Sequence, residues 1–186
     1  MLTTSERVDV FGVQMSVTDY ADSIEQIIEA GREKRSFAMS ALATHGLMEA
    51  VHNPEFLEVV NGLDLVTPDG QPVRWAMNIL HDTNLDDRVY GPDLTWMVIG
   101  AAADAGVGIY LFGSTPETCE KFVSAIHAKW PHAIISDVQP DRFREATPEE
   151  DAADIARINA SGAGVVLVGS WLPAPREVGW GSSRQG

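Results

Sequence analysis

Apolar positions along this chain follow two rhythms: short, nearly continuous runs, and longer stretches in which they return with helical spacing. The runs at Val8 to Val13, Phe37 to Ala43, Leu63 to Val66, Val107 to Phe112, Ala133 to Val138 and Gly164 to Val168 predict strands. Gly12 interrupts the first run. Phe37 to Ala43 has the pattern of a strand buried on both faces, and Thr44-His45-Gly46 breaks it. A first helix is predicted from a cap at Thr18 or Asp19 to about Arg32, with Ile24, Ile27 and Ile28 on one face and Glu25, Glu29 and Glu33 on others. Further helices are expected over Leu47 to Val51, Pro54 to Val60, Pro72 to Leu80, Leu94 to Ala105, Glu117 to Trp130 and Thr147 to Ala160. Asp93 reads as the cap of the helix that ends at Gly106, and His81 to Asp87 as polar loop. Strands alternating with helices imply an α/β chain: a single-domain, Rossmann-like fold with a mostly parallel sheet and helices on both faces.

Composition narrows the function more than the fold. A chain of 186 residues with 45% hydrophobic and 22% charged residues suits one soluble domain with a sizeable core. Thirteen Lys and Arg stand against 27 Asp and Glu, a net charge of −14, whose field repels nucleic acid and anionic bilayers. No nucleic-acid partner is therefore expected. The single Cys119 permits no internal disulfide, and the cytoplasm is the expected compartment. The first residues lack the basic start and apolar core of a signal peptide. No apolar run approaches the roughly 20 residues a membrane-spanning helix needs, so membrane contact is expected to be peripheral, at the inner face of the plasma membrane.

Candidate chemistry gathers where predicted strands hand over to helices, the place where open α/β sheets bind ligands. In Leu63-Asp64-Leu65-Val66-Thr67-Pro68-Asp69-Gly70, a carboxylate and a glycine follow an apolar run. Pro68-Asp69-Gly70 also reads as a plain turn, since all three are turn formers. Gly113-Ser114-Thr115-Pro116-Glu117 follows a strand and opens a helix, so its free N–H groups can face an anion. Ser114 or Thr115 can equally cap that helix. Arg88 precedes Tyr90-Gly91-Pro92-Asp93, and a guanidinium suits a diphosphate because it offers paired donors and stays charged. A surface salt bridge is the generic alternative. The five histidines, at 45, 52, 81, 127 and 132, have no metal-ligand spacing, and there is no Asp-x-Asp dipeptide. No metal and no cofactor are expected. Cys119 falls on the buried side of a predicted helix, and no Gly-x-Gly-x-x-Gly run supports a nicotinamide-dependent oxidoreductase.

The block around Asp69, the block Arg88 to Leu94 and the block Gly108 to Glu117, in this order and spacing, resemble the WecG/TagA/CpsF family of bacterial glycosyltransferases. The resemblance runs from about Val8 to Gly169. It implies direct transfer, with inversion at the anomeric carbon, of an N-acetylmannosamine-type sugar, an N-acetylhexosamine or uronate, from a UDP-sugar donor. The implied acceptor is polyprenyl-diphosphate-linked, in cell-surface polysaccharide synthesis of the exopolysaccharide or teichoic acid-like kind. Under the resemblance Asp69 is the catalytic base, Gly70 follows it, Arg88 and Gly113, Ser114 and Thr115 hold the diphosphate, and Gly91 and Asp93 belong to the donor site. The family's asparagine near the sugar has no clear counterpart in Ser40 to Gly46, where Thr44 and His45 could substitute; a structural histidine is the generic reading of His45. A homo-oligomer is left open.

After Gly169 the family continues with a glycine, a proline and a Gln-Glu pair before a tryptophan, none of which appears in Ser170 to Gly181. Codons can be chosen for this stretch that, one base on, read Leu-Gly-Cys-Pro-Arg-Gln-Glu-Lys-Trp-Val-Gly. A frameshift after about Gly169 is the resulting expectation, and the nucleotide sequence decides it. Residues 1–169 then form the glycosyltransferase domain and 170–186 an aberrant tail expected to be disordered. Loss of the Gln-Glu motif gives the alternative reading: a catalytically impaired, nucleotide-sugar-binding remnant.

Overall fold

The first apolar run turns back on itself. In the computed structural model, which describes residues 5–169, β1 (Arg7–Val10) and β2 (Val13–Ser16) pair antiparallel. Phe11 and Gly12 between them both have positive φ, 57° and 92°. Two such residues in succession make the tight turn whose twist matches flanking strands, so the predicted single strand is a hairpin. Val10, Val13 and Met15 are fully buried.

Helix α1 (Tyr20–Glu33) starts where Asp19 accepts a hydrogen bond from the Asp22 N–H. Strand β3 (Met39–Leu42) then pairs parallel with β4 (Leu65–Pro68), Leu42 opposite Pro68. All four β4 residues are buried, but only Leu42 is buried in β3. The expected two-sided burial of β3 fails because β4 is its one hydrogen-bonded neighbour among the described residues. Between the two strands run α2 (Thr44–His52) and α3 (Pro54–Asn61). Thr44, His45 and Gly46, expected to break the chain, form the first turn of α2 instead.

Helices α4 (Gln71–His81) and α5 (Gly91–Ala105) follow, then β5 (Ile109–Phe112), α6 (Pro116–Lys129), β6 (Ile135–Gln139), α7 (Pro148–Ala160) and β7 (Val165–Val168). Helix α5 begins earlier than predicted, because Pro92 in its first turn is preset for helical φ. Asp93 therefore lies inside the first turn, where its charge complements the helix dipole, and is not the cap. Strand β5 is flanked by β6 and β7, parallel to both. The chain is α/β and Rossmann-like, with its parallel strands divided between two small sheets.

Two hydrophobic cores accompany this division. One gathers Val89, the α5 residues Leu94, Val98 and Ile99, and strand β5, with Tyr20 and Ile24 packed against it. The other joins the hairpin to Leu42, Leu47, Val66, Val73 and Met77. The Val66 N–H donates to Ser16 Oγ at 3.0 Å, tying β4 to the hairpin. Helix α1 meets the start of β7 at a backbone contact: a Cβ at Gly164 would lie 2.6 Å from the Gly31 carbonyl oxygen. Among the described residues, no helix is long and apolar enough to cross a membrane.

Candidate functional site

Strands β3 and β4 end in register, and each enters a helix almost at once: β3 through Ala43 into α2, β4 through Asp69 and Gly70 into α4. The Asp69 N–H still donates to the Leu42 carbonyl, at 3.2 Å, so the ladder holds Asp69 at the strand edge. On the other side of β4 the Val89 N–H donates to the Pro68 carbonyl at 2.9 Å, which brings residues 88–91 alongside. Three helices thus begin around one carboxylate. The capping positions of α2, α4 and α5, which are Ala43, Gly70 and Tyr90, offer no side-chain acceptor to the first-turn N–H groups. Those groups carry the positive end of each helix dipole.

Glycine allows the crowding. A Cβ at Gly70 would stand 3.4 Å from Thr44 Oγ1, and a Cβ at Gly91 would stand 3.2 Å from Ala41 Cβ and 3.4 Å from Asp69 Oδ2. Asp69, Gly70, Thr44 and Gly91 are therefore immediate neighbours. Burial raises the Asp69 carboxyl above its ordinary range and the charge of Asp93 adds to this, while the Gly91 N–H and the Arg88 guanidinium oppose it. Arg88 lies over the Tyr90 ring, 4.6 Å from guanidinium carbon to ring centre. His45, next to Thr44 in α2, is exposed.

Two further side chains at this strand end carry no sequence signal. The Tyr20 hydroxyl, 70 residues away in sequence, accepts a hydrogen bond from the Tyr90 N–H at 2.9 Å. Its phenol is raised by burial first, then by Asp93 and Asp87, against the Tyr90 N–H and Arg88. Thr67 pairs with Ala41, the residue on which Gly91 packs, so its side chain shares that face of the β3–β4 pair. Thr67 is completely buried, and its hydroxyl has no hydrogen-bond partner among the described residues. Replacing an unsatisfied buried hydroxyl with a methyl removes a desolvation cost. Thr67→Val is accordingly expected to raise stability by about 1 kcal/mol, read by thermal melting; a loss of that size would mean that the hydroxyl is satisfied.

Gly113, Ser114 and Thr115 occupy a different strand end. Gly113 has φ 121°, and a Cβ there would lie 2.3 Å from the Gly169 carbonyl oxygen, so both backbone and space require glycine. Its N–H donates to Gln139 and the Asp141 N–H donates to the Ser114 carbonyl, both at 2.9 Å. Ser114 has φ 61°, uncommon for a non-glycine residue. Thr115 caps α6, accepting from the Thr118 N–H at 3.2 Å. The predicted site residues thus fall into two groups. Asp69, Gly70, Thr44, Arg88, Gly91 and Asp93 gather around the ends of β3 and β4, and Gly113 to Thr115 join the ends of β5, β6 and β7.

Cys119 is buried beneath the second group, where Sγ donates to the Gly113 carbonyl at 3.1 Å and burial pushes the thiol up, a structural role. Among the described residues, no group of three or more His, Cys, Asp or Glu could hold a metal ion.

Parallel βα units with glycine-lined turns and a carboxylate at a strand end define a Rossmann-like α/β protein. More narrowly, the chain belongs to the glycosyl transferase WecG/TagA/CpsF family, whose model matches residues 8–181. It is a glycosyltransferase of cell-surface polysaccharide synthesis by that membership, and the family implies a sugar donor and an acceptor. The match extends past Gly169 into the segment set apart above as a tail. Residues 170–186, with the frameshift reading placed on them, lie outside the described residues.

Proposed function

We propose that the protein transfers an N-acetylmannosamine-type sugar from a UDP-sugar to a polyprenyl-diphosphate-linked acceptor, with inversion and in one displacement. The observation that carries this reading is the Asp69 carboxylate, half-buried at the end of β4 beside Arg88 and among three helix starts without side-chain caps. The acceptor oxygen attacks the anomeric carbon and forms the new glycosidic bond. Asp69 takes the hydroxyl proton, and the bond to the diphosphate breaks, releasing UDP. A base in this role works best when its pKa lies near the working pH, and burial moves Asp69 in that direction.

Arg88 neutralises charge on the departing diphosphate, helped by N–H groups at the start of α5 beyond Gly91 and at the Gly113 to Thr115 turn, other than that of Gly113, which donates to Gln139. Thr44 and His45 border the sugar. Gly70 keeps the approach to Thr44 open, and Asp93 faces a sugar hydroxyl or holds the dipole of α5. The lipid-linked acceptor is met at the cytoplasmic face, the protein attached peripherally.

Incubation of the full chain with radiolabelled UDP-N-acetylmannosamine and a short-chain polyprenyl-diphosphate acceptor tests the reading, with labelled lipid product as the expected result. Calorimetric binding of UDP without turnover would favour the non-catalytic remnant, and absence of both would remove the proposal. The pH profile is a second check. Protonated Asp69 cannot accept the acceptor proton, so kcat/KM should fall as pH drops through its raised pKa, and the acid limb should stand above the ordinary carboxylate range. A limb at or below that range would exclude Asp69 as the titrating base.

A further inference from the structure

We propose that Tyr20 is a positioning residue for this site: its hydroxyl helps hold the 88–91 segment so that Gly91 stays against the Asp69 carboxylate and the charge of Arg88 stays near it. This rests on the reading of Asp69 as the base. The geometry runs along two successive peptide groups. The Tyr90 N–H is held by the Tyr20 hydroxyl at 2.9 Å, and the next residue, Gly91, packs within contact of Asp69 Oδ2. Tyr90 also carries the ring beneath Arg88. This hydrogen bond, with the one from the Val89 N–H to the Pro68 carbonyl, therefore helps set the position of both groups that favour the ionised carboxylate.

Tyr20 is well placed to hold that position. It is the first residue of α1, immediately after the capping Asp19, and its ring packs against the core that also contains Val89 and Leu94. A side chain anchored by both a capped helix start and a core has little freedom to follow the loop. The charged groups facing Asp69 are Arg88 from the preceding segment and Asp93 from α5; those facing Tyr20 are Asp87, Arg88 and Asp93. If the 88–91 segment relaxes, Asp69 loses the influences that favour its charge and keeps the burial that opposes it. Its titration then moves to higher pH.

The test is the titration of the Asp69 side-chain carboxyl, followed by carbon-detected NMR in the wild type, Tyr20→Phe and Ser23→Ala. Phenylalanine keeps the ring in the core and deletes only the hydroxyl. Ser23→Ala removes a part-buried hydrogen bond from the same helix, to the Asp19 carbonyl, without touching Tyr90. The expected result is an upward shift of the Asp69 midpoint in Tyr20→Phe alone, with the Tyr90 amide losing its protection from exchange. In the transfer assay kcat should fall about ten- to a hundredfold, the scale of a small misplacement of catalytic groups, and the acid limb should move with the midpoint.

An unmoved midpoint in Tyr20→Phe, or an equal shift in Ser23→Ala, would overturn the proposal. So would free exchange of the Tyr90 amide in the wild type, a measurement that needs no variant. Failure of the base reading is a separate event, since full transfer by an Asp69→Asn protein leaves the titration result untouched.

Discussion

Asp69→Asn is expected to abolish sugar transfer, to leave UDP binding within a fewfold of the wild type, and to make the fold more stable at neutral pH. The loss of rate should be about 10²- to 10⁴-fold, the usual contribution of a positioned general base. Asparagine keeps the shape of the side chain and so the packing against Gly91, but cannot take a proton from the acceptor. The stability gain follows from linkage. Burial raises the folded-state pKa of Asp69 above the value in the unfolded chain, so the folded state binds the proton more tightly. The ionised carboxylate is then a liability at neutral pH that is relieved as pH falls through the raised value. Asparagine removes it at every pH, and the advantage of the variant should shrink on acidification. Melting curves at neutral and acid pH, beside the labelled-sugar assay, measure both halves. A variant retaining more than a tenth of wild-type turnover would dismiss Asp69 as the base.

Gly164→Ala is expected to be strongly damaging although it lies away from that site. The added Cβ would lie 2.6 Å from the Gly31 carbonyl oxygen and 2.6 Å from Val107 Cγ1. Val107 can change rotamer, but a backbone carbonyl near the end of α1 cannot, so the helix has to slide off the start of β7. Overpacking of this kind costs about 1–3 kcal/mol, and each kcal/mol lowers Tm by about 2–4 °C in a domain of this size. Gly31→Ala meets the same obstacle from the other side, 2.8 Å from the Gly164 carbonyl oxygen. Because one contact is involved, the double variant should lose less than the two single losses added together. Wild-type melting of Gly164→Ala would mean that α1 and β7 are not so closely apposed.

The elements whose local chemistry agrees with their tertiary setting were readable from the chain itself. Asp19, Thr115 and Thr147 cap the helices that follow them, and Gly106 takes the left-handed position after α5. The misreadings share a cause. Phe11 and Gly12 make a turn only because both adopt positive φ, which a phenylalanine does not advertise. Thr44 to Gly46 look like a break yet form a helical turn, since Leu47 and Ala50 find a core to join. Of the candidate site, Asp69, Gly70, Arg88 and Gly91 were singled out by the resemblance of their blocks to a family, since the local sequence alone reads Asp69 as a turn residue and Arg88 as a surface ion-pair partner. Tyr20 and Thr67 did not. Their significance lies in a contact across 70 residues and in a hydroxyl whose burial depends on the register of β3 with β4.

The division of the interior into two cores has a bearing on the chemistry. Asp69 rides on the strand that holds Val66 in one core, whereas Val89 and the α5 residue Leu94 bind the Arg88 and Gly91 segment to the other. The proposed base and Arg88 are thus anchored in different cores, joined by the hydrogen bond from the Val89 N–H to the Pro68 carbonyl. A nucleotide that contacted both would bridge the two cores, coupling its occupancy to the alignment of the proposed base with Arg88.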